Sequence, residues 1–206
     1  MSGNSSPGQW DAAECALVLI DYQENVFETI VDQDRRVVEL NVCTLARAAV
    51  DFNVPIVVSV NGPMIPSLEA ELCHVKPIER SSMDAWDDPQ FVAAVKATGR
   101  KKLVMAGIVT SAAGYSAIHA RAAGYEVSFI EDAAGDRDKR RHDTAVLQLI
   151  HAGAVSNTTL AVIREWKSPL SESARKIFVR YFAEMSFLKR PHRQLADERC
   201  ADANWH

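Results

Sequence analysis

Four short, almost unbroken apolar stretches limit what this chain can fold into: "ALVLID" (16–21), "VPIVVSV" (54–60), "KLVMAGI" (102–108) and "EVSFIED" (126–132). A strand with one wet face alternates apolar and polar residues, so runs of this kind fit strands covered on both sides. "AVSNTT" (154–159) is a weaker fifth run, and the short apolar segment before Arg80 suits a further, minor strand. Helical spacing fills the intervals. Val38, Val42, Leu45, Ala49 and Phe52 step by four and three residues, the stripe of a helix over 35–52 lying on a sheet. Asp88 and Pro89 read as an N-cap and first helical residue, with Phe91, Val92 and Val95 facing inward and Gly99 closing the helix. Val146, Leu149 and Ile150 give the buried face of a helix that stops at Gly153, and another runs from Ser171 to about Met185.

Strands alternating with helices predict a three-layer α/β/α domain: a mostly parallel, open, Rossmann-like sheet with helices on both faces and right-handed crossovers. At 206 residues, 48% of them apolar, the chain can fill one such core without disulfides or metal. The expected division is an α/β domain over 1–166, then a C-terminal helix and polar tail over 167–206 that belongs to the same domain or to an oligomer contact. The composition of that tail favours disorder.

Charge excludes several classes of partner. The 23 basic and 27 acidic side chains give a net charge of −4 and are dispersed, so nothing in the pattern would hold nucleic acid or an anionic membrane. "DKRRHD" (138–143) is dense but bracketed by acids, and reads as the solvated start of a helix. The polar opening "MSGNSSPGQWDAAE" lacks the apolar core of a secretory signal, and no stretch approaches the length of a membrane span, which predicts a soluble cytoplasmic protein. Cys15, Cys43, Cys73 and Cys200 form no C-x-x-C pair and the six histidines never fall at ligand spacing. Reduced, mostly buried thiols, no metal and no cofactor are expected.

Ligands of open α/β sheets bind beyond the carboxyl ends of the strands, where Asp21, Asn61 and residues 109–111 emerge. Asp21 follows an apolar strand, so partial desolvation suits it to general acid or base work, although an acid in that place can equally cap a turn. Arg80 near it would hold the carboxylate ionised and oriented, or would meet a substrate carboxylate bidentately. The small residues 111–114, opening a helix, let backbone N–H groups approach a developing oxyanion, or let the helix pack closely on the sheet.

"LIDYQ" (19–23), "RSSMDAW" (80–86), "KATGRKKLVMAGIVT" (96–110), "GYEV", "EDAAG", His142 and "AGA" (152–154), in that order, resemble the isochorismatase-like cysteine hydrolases, a superfamily that includes nicotinamidases and isochorismatases. The resemblance covers 16–166 and implies Asp21 as catalytic acid/base with Arg80 as the partnering cation. It implies Val109, Thr110, Ser111, Ala112, Gln23 and Trp86 as oxyanion or substrate-binding residues, the N–H groups of Val109 and Ala113 forming the oxyanion hole. It also implies a small-molecule substrate and a homo-oligomer. The nucleophilic cysteine of that family stands three residues beyond the threonine matching Thr110, and here that position is Ala113. The distance from Gly107 to Gly124 is one residue shorter than usual in the family, and counting back from Gly124 lands on Ala112 instead. Without a thiolate, hydrolysis loses its covalent route and keeps only positioning and an acid/base. Three readings stand: a thiol-free enzyme using Asp21 and Arg80, an inactive binding or structural subunit, and an ordinary cysteine-dependent amidohydrolase whose cysteine is missing from this sequence.

Overall fold

The computed structural model describes residues 10–166 and 171–189. Six strands, β1 (Cys15–Ile20), β2 (Ile56–Val60), β3 (Ile78–Glu79), β4 (Lys102–Gly107), β5 (Glu126–Ile130) and β6 (Val155–Asn157), form one sheet in the order β3-β2-β1-β4-β5-β6. Every neighbouring pair is parallel. β1 and β4 are buried along their whole length, as their unbroken apolar runs require. Within β1, Leu17 and Leu19 join one core while Ala16, Val18 and Ile20 join the other, so period-two alternation turns one apolar run into two packing surfaces.

Two helical layers cover those surfaces. α2 (Arg35–Asp51), α7 (Thr159–Trp166) and α8 (Glu172–Leu188) lie on the first, with the short α1 (Glu24–Phe27) and α3 (Pro66–Glu71) at its edge. α4 (Pro89–Ala97), α5 (Thr110–Ala122) and α6 (Lys139–His151) lie on the second. Asp88 caps α4 by accepting from the Gln90 and Phe91 amides, with Pro89 at the first helical position, as the sequence predicts. α6 departs from its predicted phase: Ile150 is exposed, and the buried face is His142, Ala145 and Leu149. The histidine of the basic run turns inward because it has polar partners there, described below. α8 is capped by the Ser171 hydroxyl and packs on α2, where the Tyr181 hydroxyl donates to Asn41 Oδ1 at 2.9 Å. The polar tail, with Cys200, lies outside the described residues.

The chain builds outward from β1 to β2 and β3, then returns to the other side of β1 for β4, β5 and β6. That reversal makes the carboxyl ends of β1 and β4 the topological switch point, where such sheets keep their ligands. α5 starts there and lies very close to the sheet: a Cβ on Gly107 would stand 2.5 Å from the Ala113 methyl and 2.9 Å from the Ile20 carbonyl oxygen. No helix among the described residues is long and apolar enough to cross a membrane.

Candidate functional site

Both strands flanking the switch point end in strained backbone. Asp21 (φ 63°) and Val109 (φ 56°) are, with Asn53, the non-glycine residues at positive φ among the described residues. Such a conformation costs about 1–3 kcal/mol, more readily tolerated by Asp than by a β-branched Val, and it persists only where the surroundings impose it.

At Asp21 the imposing contacts are plain. Its N–H donates to the Ser59 carbonyl at 2.9 Å, extending the β1–β2 ladder by one bond before the chain turns away. Its carboxylate, 12% exposed, then meets Arg80, whose Nη2 donates to Oδ2 at 2.6 Å. Arg80 arrives from the end of β3, its own N–H donating to the Val60 carbonyl at 3.0 Å, and its Nη1 donates to Ser59 Oγ at 3.1 Å. With both terminal nitrogens engaged and the side chain 3% exposed, Arg80 orients Asp21 and does not present a fork to a substrate carboxylate. Gln23 Nε2 adds a longer bond to Oδ1, at 3.3 Å. Oδ2 is thus held by Arg80, and Oδ1 keeps only the longer Gln23 bond.

The first turn of α5 is arranged differently from the expectation. The Thr110 N–H donates to the Gly135 carbonyl at 3.0 Å, and the Ser111 N–H and hydroxyl both donate to Asp136 Oδ2 at 2.9 Å. The Ala112 and Ala113 N–H groups donate to the Val109 carbonyl at 2.7 and 3.0 Å. The amide of Ala113, expected as an oxyanion donor, is therefore committed inside the helix. Its methyl is buried against Gly107 in the second core. Ala112 is the alanine that faces outward, on the wall of a cavity of about 310 Å³ formed with Met83, Asp84, Ser111 and Tyr115. Asp21 and Gln23 follow the neighbouring β1 and Arg80 follows β3, and none of the three is part of that wall. Thr110 is fully buried with its hydroxyl 2.8 Å from His142 Nδ1. The Trp86 ring stacks edge-on against Phe91 and Tyr125. Thr110 thus lies in the protein interior, while Trp86 is half-buried against the second core.

Two constellations escaped the sequence reading. Asp84 caps the short turn at Trp86 (2.9 Å), accepts from Ser116 Oγ (2.5 Å) and lies 2.6 Å from His119 Nδ1. Its signal was the helical spacing of 112, 116 and 119, which aligns Ala112, Ser116 and His119 on one face of α5. Asp32 and His142, 3.2 Å apart, form the other, and no local pattern relates them. Of the thiols, Cys15 lies at the far end of β1 from Asp21 and burial pushes it up to about 12, while Cys43, buried in α2, is pushed up to about 11. Cys73 is exposed, so two of the three described thiols are buried.

Comparison with known proteins agrees with this architecture. Residues 15–160 match the isochorismatase domain. The chain is 31% identical to the probable hydrolase YcaC of Escherichia coli K12 over 172 residues, 78% of this chain and 83% of that one. It superposes with a TM-score of 0.80 on YcaC from Pseudomonas aeruginosa, solved with hexane-2,5-diol and covalent acrylamide, at 26% identity over 90% of this chain and 100% of the other. The crystal structure of E. coli YcaC, described as an octameric hydrolase of unknown specificity, gives 0.80 at 28% identity, covering 89% and 98%.

Proposed function

The chain belongs to the isochorismatase family of hydrolases, and from that premise we propose that it acts on a small molecule with Asp21 as acid/base, Arg80 as the residue that positions it, and no thiol nucleophile. The observation that carries this reading is the buried 2.6 Å Arg80–Asp21 contact on strained backbone at the switch point of the sheet. Cleavages that water completes after a proton transfer, such as that of a vinyl ether, need a positioned carboxyl group and no covalent intermediate. Oδ1 gives its proton to the substrate, at the terminal carbon of a vinyl ether or at a leaving heteroatom. Water adds to the cation so formed and returns a proton to Oδ1, while Oδ2 stays on Arg80. The substrate is a small molecule with a carbonyl or ether group, and the protein works in the cytoplasm as a homo-oligomer, the assembly being supported by the octameric relative. No nucleic acid, membrane, metal or cofactor enters this reading.

The test is turnover of a panel of small amides, esters and vinyl ethers. Asp21→Asn lowers any activity found by at least about 100-fold, the scale of general acid–base catalysis, and iodoacetamide leaves it unchanged. Inactivation by iodoacetamide would refute a thiol-free mechanism.

A second reading, an inactive binding or structural subunit, is favoured by the committed N–H groups of the α5 turn, which leave no paired donors for an oxyanion. Under it, ligands bind and nothing turns over. Ala112→Cys separates this from the third reading, that of a thiol-dependent amidohydrolase lacking its cysteine. Amide hydrolysis and a covalent acrylamide adduct at position 112 together support the third; an adduct without hydrolysis supports the second.

A further inference from the structure

A second cavity, of about 510 Å³, opens beyond β5 and β6 where α6 begins. We propose that it binds a small organic cation with an apolar tail, with Asp32 as the buried counter-ion. The site is independent of the hydrolase reading.

Charge is the first argument. Asp32, Glu131, Asp132 and Asp143 line the cavity together with Lys139 and His142. Lys139 is spent on Asp143, bonding both carboxylate oxygens at 2.7 and 2.8 Å, which leaves three acids on the wall facing one imidazole. The second argument is the state of Asp32. Its side chain is 1% exposed; Oδ1 accepts from the Asp136 N–H at 2.8 Å, but Oδ2 accepts no hydrogen bond. The ring nitrogen facing it, His142 Nδ1 at 3.2 Å, also lies 2.8 Å from Thr110 Oγ1, and a single ring N–H does not serve two acceptors fully. A buried carboxylate oxygen short of a donor is costly, and a ligand ammonium entering the cavity supplies both the donor and the charge. Burial also pushes Glu131 and Asp132 above their ordinary values, a strain that a bound cation would relieve.

The remaining wall sets the rest of the ligand. Val146 and Leu147, the latter 57% exposed at the rim, give an apolar strip for a short hydrocarbon tail. Among the described residues no cluster of His, Cys, Asp and Glu is arranged to hold a metal ion, and the apolar strip beside the acids fits an organic cation. Occupancy would also be felt elsewhere. Asp32 holds Asp136, which holds Ser111, and His142 holds Thr110, so two hydrogen-bonded routes run from this cavity to the first turn of α5.

The test is a titration of the ¹⁵N-labelled protein with n-butylammonium, n-butanol and butyrate, read from the amide resonances. Butylammonium is expected to give saturable shifts at Asp32, Glu131, Thr110 and Ser111, with the alcohol and the acid silent at the same concentrations. Asp32→Asn, which keeps an acceptor for the Asp136 amide, weakens butylammonium binding at least about tenfold, in line with loss of a charge-assisted bond. Glu131→Gln weakens it by less and keeps the answer available if the Asp32 variant folds poorly. Equal responses to all three compounds, or no saturable response to butylammonium in the wild-type protein, overturn the proposal. Neither result touches the hydrolase reading, because no turnover is measured.

Discussion

Arg80 replaces the water that an exposed Asp21 would have. Burying both ions is expensive, and the cost is met only while they face each other. Removing one partner therefore does more damage than removing both. Arg80→Met should destabilise the fold by about 3–5 kcal/mol, because Asp21 keeps its burial and loses its counter-charge. Adding Asp21→Asn to that variant should recover most of the loss, and urea unfolding of the two singles and the double measures the coupling. A near-additive double would mean that the 2.6 Å contact carries little energy and that Asp21 is held by its backbone alone. The same residue-scale logic bears on the thiols. A cysteine acts as a nucleophile through its thiolate, and burial keeps Cys15 and Cys43 protonated, with values near 12 and 11. Iodoacetamide should label Cys73 and spare those two, which mass spectrometry of the native protein reads directly.

At the scale of elements, the α5 turn fixes the character of the site. α5 approaches β4 through Gly107 and Ala113, and this close packing directs Ala113 inward and leaves Ala112 at the cavity. Gly107→Ala should destabilise by about 3 kcal/mol, since the new methyl meets backbone as well as side chain. Ala113→Gly in the same chain should restore only part, because the Ile20 carbonyl still stands in the way. Full recovery of the melting temperature in that double variant would mean that the helix can shift off the sheet. What was legible in the sequence follows the same division. The strands, the α2 stripe, the Asp88–Pro89 start of α4 and the Asp21–Arg80 partnership depend on local pattern or on a recognised motif, and they were readable. The phase of α6 was not, because His142 is drawn inward by Thr110 and Asp32 from distant segments. The choice between Ala112 and Ala113, and the engagement of the turn by Gly135 and Asp136, likewise depend on residues far along the chain. Apolar spacing carries no information about hydrogen bonds that long.

For the whole molecule, the open question is what covers α8. One side of it is anchored, with Ala174, Ile177 and Tyr181 buried, but Val179 (71% exposed), Phe182 (55%) and Phe187 (56%) face outward. Two of these, Val179 and Phe182, are three residues apart and so share one face of the helix. Single exposed apolar residues need no explanation; large ones grouped on a helix face mark an association surface. The E. coli relative is octameric, and a second copy of this chain is the occupant we expect on that face. Light scattering coupled to gel filtration should then give a mass that is a multiple of 22.7 kDa. Val179→Glu combined with Phe182→Glu should shift that mass toward the protomer while leaving the circular dichroism spectrum unchanged. The two charges would be solvated on a free protomer and buried without partners in an interface, so the penalty falls on assembly and not on folding. An assembly that withstands both substitutions would place its contacts elsewhere and leave α8 as an ordinary surface helix.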